Sequence, residues 1–316
     1  MPVVPATEKT IREAAEALAR GEIVAFPTET VYGLGANALD ARAVAKVFAT
    51  KERPRFNPLI VHVPNLEAAE TYAVVNDTAR ILAEAFWPGP LSLVLQKRPA
   101  CGIADLVSAG LDTVALRAPA HPVAQALLAE VKLPIAAPSA NRSGRISPTT
   151  AAHVEAELGE QRAMILDGGP CPLGIESTVV SVVGGEPGLL RPGALPREAI
   201  ELVLGGPLAT AKVNHRGASP GQLAIHYAPN TKVRLGATSV RPDEALLAFG
   251  HDVPQGARLT INLSTSGNLE EAAAKLFGAL RELDQAGVQA IAVMPIPAQG
   301  LGEAINDRLQ RAANRG

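Results

Sequence analysis

The chain has 316 residues, 47% of them hydrophobic and 19% charged, which fits about two domains with real cores and excludes a disordered chain. A net charge of −2 excludes the broadly basic surface of a general nucleic-acid binder but leaves room for a local cationic pocket. No apolar run reaches the roughly 18 residues of a membrane span, the N-terminus lacks a leader's basic and apolar regions, and Cys101 and Cys171 form no CxxC pair, so the expectation is a cytoplasmic protein with buried or free thiols.

Thr10 and Glu13 fit a capping box ahead of an apolar stripe through Ile11, Ala14, Ala15 and Leu18, and Gly21 ends that helix. Ile23–Phe26 reads as a strand that runs into Pro27, Thr28, Glu29 and Thr30. Gly33 and Gly35 then allow a tight turn or a close approach to a ligand. Asp40 caps a helix with Ala43, Val44, Val47 and Phe48 at helical spacing, stopped near Arg53 by Pro54. Its end carries Lys51, Arg53 and Arg55. The helix dipole alone favours cations there, as a solvated helix end; three cations within five residues also fit a polyanion site. No GxGxxG or GxxxxGK[ST] occurs.

Pro58–Val63 reads as a strand in which His62 is the one polar residue, as a core histidine or a site residue. Residues 65–73 and 77–86 read as helices, the second capped by Asp77 and broken at Trp87–Pro90; Trp87 reads as core packing. Leu91–Gln96 and Thr113–Arg117 read as strands, with Arg117 either at the surface or forming a fork for a carboxylate or phosphate. A helix over 121–131 leads to a strand and then to a hydroxyl-rich loop with Asn141, Arg142 and Arg145.

Four stretches give the N-terminal part a family likeness: PTETVYGLG with KERPRFNPLIVHV, PSANRSG, GIESTVV and LLRPG, in that order. Together they closely resemble the YrdC/YwlC family, the threonylcarbamoyl-AMP synthases. The resemblance implies an α/β protein: a twisted mixed-sheet YrdC-like catalytic domain over 1–208, a linker over 209–230, and a small Rossmann-like domain over 231–316. Within the linker, HYAP resembles the linker motif of two-domain members, which usually carry more basic residues before it than Gln222–Ile225 supplies. The C-terminal pattern itself, strands at 233–235, 245–249, 259–263 and 290–294 with helices over 268–286 and 303–313, reads as a mainly parallel α/β unit. Ser264, Thr265, Ser266 and Asn268 read there as a helix-capping turn.

The implied reaction joins L-threonine, bicarbonate or CO2, and ATP into L-threonylcarbamoyl-AMP and pyrophosphate. The product feeds a complex that transfers the threonylcarbamoyl group to tRNA. The resemblance carries Lys51, Arg53, Ser139 and Asn141 over as catalytic positions. For L-threonine it implies Thr30, His62, Arg117, Ala137 and Ser177. For ATP it implies Arg53, Asn57, Thr113, Ser139, Ser147, Arg191 and Tyr227, with Mg2+ arriving alongside ATP and no dedicated protein metal site. Cations suit the charge of a leaving pyrophosphate, and positioning rather than a covalent nucleophile suits the residue set. Tyr227 is expected over the cavity mouth or, alternatively, packed between the domains. Two other readings are an RNA-binding module, against which the acidic balance and few aromatics weigh, and the carbamoyl-transfer domain of a hydrogenase-maturation protein, which would bring zinc-finger cysteines.

Overall fold

The computed structural model describes residues 3–159, 163–210 and 227–314. Among these, the strands form a 12-stranded mixed sheet and a separate 4-stranded sheet. Across the large sheet the order is Val3–Pro5, Met164–Asp167, Val24–Phe26, Gly33–Asn37, Ile135–Ala136, Ile60–His62, Thr113–Arg117, Leu91–Lys97, Thr178–Ser181, Gly188–Arg191 and Ala209–Thr210. Ala73–Val74 adds to Leu91–Lys97 beside this row.

Strand alternation sorts the central side chains onto two faces. Val61, Leu93, Leu95, Val114, Leu116 and Val180 point into the main core. Ile60, Val94, Ala115 and Val179, their neighbours in sequence, form a small apolar patch on the other face. Ile60 pairs with Ala115 and His62 with Arg117 in parallel register, so His62 and Arg117 extend that second face at its polar end. Thr113 shares the face two pleats back.

The helix Ala41–Lys51 forms as its spacing predicts. The Asp40 carboxylate accepts the N–H groups of Arg42 and Ala43, and Ala43, Val44, Val47 and Phe48 are buried. It stops at Glu52, in the left-handed region at φ 52°. Other local expectations are corrected. The first helix, Glu8–Ala19, is capped by Thr7, which forms a reciprocal box with Thr10; Glu13 lies a turn too far on. Asn76 rather than Asp77 caps Asp77–Phe86, its side chain accepting Ala79 N–H. The helix expected over 65–73 covers only Leu66–Glu70, because Ala73–Val74 pairs with the sheet. Gly33 and Gly35 sit inside a strand. A Cβ on Gly35 would lie 2.7 Å from Ile135 and 2.8 Å from Phe26, so that glycine serves packing, not turning.

The second sheet is wholly parallel, in the order Lys232–Arg234, Ala290–Val293, Glu244–Ala248 and Leu259–Asn262. Leu269–Asp284 and Leu301–Ala313 pack on it. The Ser264 hydroxyl accepts Asn268 N–H, and Asn268 in turn caps the long helix, as the capping-turn reading expects. One apolar cluster crosses between the two units: Val31, Ile146, Ile175 and Ala194 join Leu276, Phe277 and Leu280. Gly174 makes that approach feasible. At φ 66°, its added Cβ would stand 2.6 Å from Ala274 Cα.

Candidate active site

The second face of the large sheet floors a cavity with polar and charged side chains converging on it. Thr30, Arg53, His62, Arg117, Ala137, Ser139, Ser177, Arg191 and Tyr227 all line it, drawn from segments as far apart as 30 and 227. Parallel and antiparallel pairings put the ends of these strands side by side, which no local pattern dictates.

At one end, Arg117 is only 3% exposed. It pairs with Glu29, donates to the Thr30 hydroxyl at 2.9 Å and to the Gly89 carbonyl at 3.2 Å. A guanidinium has five N–H donors, so one remains on each terminal nitrogen. Burial pushes the Glu29 carboxyl up, but the charge and hydrogen bond of Arg117 outweigh it, and the carboxyl is held below its usual range. Next to this pair, burial and the Arg117 charge drive His62 down to about 3, so its imidazole is neutral at physiological pH. Its ring meets Phe26 edge-on at 6.0 Å, and its buried Nδ1 has no hydrogen-bond partner. A bare buried nitrogen at a cavity wall is an unfilled contact, since buried polar atoms are normally paired.

The other end is cationic. Arg53 is buried and, among the described residues, donates to the carbonyls of Asn57 and Pro58, at 3.2 and 3.0 Å; burial lowers it to about 10. The Arg191 guanidinium donates to Ser177 O at 2.7 Å and Ser177 Oγ at 3.1 Å. Ser177 Oγ also meets Ser92 Oγ at 2.8 Å. Tyr227 is 1% exposed, stacked on Phe277 at 5.5 Å between centroids, with the Arg308 guanidinium 5.0 Å over its ring. It therefore both lines the cavity and packs between the two units. Of the expected linker over 209–230, Ala209–Thr210 form the edge strand of the large sheet, and residues 211–226, with His226, lie outside the described residues.

Lys51, Asn57, Thr113, Asn141 and Ser147 do not line the cavity. Lys51 is 1% exposed, which removes the solvated-helix-end reading; of the three cations only Arg55 is exposed. The Lys51 ammonium donates to the carbonyls of Ser139 and Asn141, and Ser143 N–H returns to the Lys51 carbonyl. Burial, then the Arg53 charge, lower its pKa well below the usual lysine value. Its geometry shapes the Ser139–Ser143 loop from behind. Asn141 holds the same loop through Arg142 and Arg145 carbonyls. Asn57 Nδ2 is buried without a partner beneath Arg53. Ser147 donates to Glu176, and Thr113 stands at the opposite end of its strand from Arg117.

Sequence reasoning did not assign Thr28, Ser92, Glu176 or Arg308 to the site, and left Glu29 open between a surface turn residue and a holder of Mg2+ or of a basic side chain; its pairing with Arg117 is the last of these. Glu176 had a signal: a carboxylate wedged between Ile175 and an apolar strand. Arg308 had another: it interrupts the apolar stripe of Ala304, Ile305, Leu309 and Ala312. No group of three or more His, Cys, Asp or Glu able to hold a metal stands among the described residues. Glu29 is committed to Arg117 and Ala120 N–H, and Glu176 to Ser147 and Arg308.

Buried arginines around a cavity, a neutral histidine among them and Tyr227 at the wall define an enzyme that handles small anions. Residues 16–193 match the Sua5/YciO/YrdC model, described as telomere recombination, and 195–314 match the C-terminal domain of threonylcarbamoyl-AMP synthase. The chain belongs to the Sua5/YciO/YrdC family. It is 41% identical to the threonylcarbamoyl-AMP synthase of Pyrococcus abyssi, covering 97% of this chain and 94% of that one. The Bacillus subtilis synthase is 42% identical, over 96% and 92%. The crystal structure of P. abyssi Sua5 complexed with L-threonine superposes with a TM-score of 0.89 at 40% identity, covering 97% and 95%. The mixed α/β fold expected from the resemblance is the one observed.

Proposed function

We infer that the chain synthesises L-threonylcarbamoyl-AMP from L-threonine, bicarbonate or CO2, and ATP, releasing pyrophosphate. The observation that carries this reading is one cavity with two anion-binding ends: Arg117 with Thr30 and His62 at one, Arg53 with Arg191, Ser139 and Tyr227 at the other. The threonine carboxylate takes the remaining N–H donors of Arg117. Thr30, Ser177 and neutral His62, through Nδ1, hold the amine and hydroxyl, with Ala137 at the wall. The amine nitrogen bonds to the carbon of CO2, or of bicarbonate with loss of water, and gives up its proton. A carbamate oxygen then bonds to the α-phosphorus, and the bond to the leaving pyrophosphate breaks.

The charge gathering on that leaving group faces Arg53 and Arg191, placed in advance and dry, which is where such charges act most strongly. Ile60 at the cavity wall offers the base an apolar contact, on the side of the sheet that carries Asn57 and Thr113. Lys51, Asn141 and Ser147 act through the loops they hold. Mg2+ enters with ATP, the phosphates supplying its ligands, since the nearby carboxylates are occupied. The family likeness further supports a cytoplasmic enzyme whose product is consumed by a tRNA-modifying complex; among the described residues no helix is long and apolar enough to cross a membrane.

Purified protein with MgATP and bicarbonate is expected to release pyrophosphate only when L-threonine is added. Equal release with no amino acid overturns the reading.

A further inference from the structure

The geometry points to Arg308, in the terminal helix of the second unit, as a positioning residue for the nucleotide end of the cavity; the inference rests on the reaction proposed above. Arg308 is fully buried among apolar neighbours. A guanidinium is retained in such a place only where its charge and donors are matched. Its Nε donates to Glu176 at 2.8 Å, Nη1 to Asp307 at 2.6 Å, and Nη2 to the Pro192 carbonyl at 3.0 Å, while its plane covers Tyr227.

Two of the three distant partners line the cavity, and the third adjoins a residue that does. Glu176 lines it, precedes Ser177, and accepts the Ser147 hydroxyl on its other oxygen. Pro192 follows Arg191. Tyr227 lines the cavity beside Arg53 and Arg191. One side chain of the second unit thus ties two parts of the wall, Glu176 and Tyr227, to the backbone just after Arg191. It also neutralises a carboxylate that would otherwise stand bare beside the place where phosphates bind. Like charges forced together without a counter-ion weaken binding steeply. Arg308 touches neither substrate; it acts through Glu176 and Tyr227.

The test uses the full chain and MgATP itself as probe, titrated by calorimetry, with L-threonine titrated separately. Arg308→Met keeps most of the volume and loses the charge. It is expected to weaken MgATP by about tenfold or more, while threonine affinity stays within about threefold. Adding Glu176→Gln removes the bared charge and is expected to restore most of the MgATP affinity. Arg308→Lys, which keeps the charge but loses the three-way fork and the stacking, is expected to bind MgATP more tightly than Arg308→Met and more weakly than the unaltered chain. Should circular dichroism find Arg308→Met unfolded, Arg308→Gln gives the same comparison, because its amide still donates to Glu176. Unchanged MgATP affinity, equal losses for both substrates, or a double variant as weak as the single one would each overturn the inference. Threonine-dependent pyrophosphate release by the unaltered chain is measured first. Its absence refutes the proposed reaction, whereas its presence with unchanged MgATP affinity in the variant refutes the role of Arg308 alone.

Discussion

Replacing Arg117 by alanine should produce two separable losses. The first is stability. The Arg117–Glu29 pair is almost wholly buried, at 4% and 8% exposure, so deleting the arginine leaves a carboxylate in an apolar setting. Breaking such a pair costs roughly 3–5 kcal/mol. The second loss is affinity. A charge-assisted fork is worth about 1.5–3 kcal/mol, which is roughly ten- to 150-fold in threonine affinity. The pH dependence distinguishes this account from a general packing defect. In the unaltered chain the folded-state pKa of Glu29 lies below its ordinary value of 4.5. Its stabilising effect is complete above that value and is lost as pH falls through the folded pKa. In Arg117→Ala burial acts on the carboxyl against the backbone N–H groups of Glu29 and Ala120, and burial, the largest influence, is expected to move its folded pKa above the unfolded one. The sign then reverses: stability falls as pH rises from the unfolded pKa to the raised folded one. Urea unfolding at pH 5 and pH 8 is the assay. The unaltered chain should lose nothing through Glu29 between these values, and Arg117→Ala should be weaker at pH 8 than at pH 5. Parallel behaviour of the two proteins, or a collapse of ATP affinity with threonine affinity intact, refutes the reasoning.

His62, held near pH 3, should show no imidazole titration between pH 5 and 8 by NMR, and a midpoint near 6.5 would mean that the site is wet. Lys51→Met orphans the Ser139 and Asn141 carbonyls at roughly 1–3 kcal/mol each, so amide exchange should quicken across residues 139–143 while the helix Ala41–Lys51 stays protected. Gly174→Ala combines a left-handed backbone, about 1–2 kcal/mol, with a backbone clash of roughly 1–3 kcal/mol. Gly205→Ala, at φ 68° in open space, carries only the first cost and should lower the melting temperature less.

Elements with strong periodicity were legible. Asp40 and the apolar face behind it predicted Ala41–Lys51, and alternation predicted Thr113–Arg117 to the residue. Short pieces held by partners were not. Ala73–Val74 is a strand only because Gln96 and Lys97 lie opposite. Thr7 outcompeted Thr10 as cap because the strand Val3–Pro5 fixes where the chain enters the helix. In the site, the residue types announced anions, but burial decided their duties. Lys51 and Arg53 are two residues apart, yet one lines the cavity and the other faces carbonyls behind a loop. Glu29 read either as a surface turn residue or as a holder of Mg2+ or a basic side chain, and only its partner, 88 positions away, decides between them.

The apolar cluster in which Val31 and Ile175 meet Phe277 and Leu280 joins the two units through a shared core. A chain cut after residue 208 would present those side chains, together with Glu176 stripped of Arg308, to water. Such a fragment would invite aggregation and proteolysis, and its silence in an activity assay would say little about chemistry. The same adhesion implies that heating the intact chain melts both units in a single transition. A ligand seated against Arg53 and Tyr227 would raise that transition as a whole, by about 2.7 kcal/mol at a hundred times its dissociation constant.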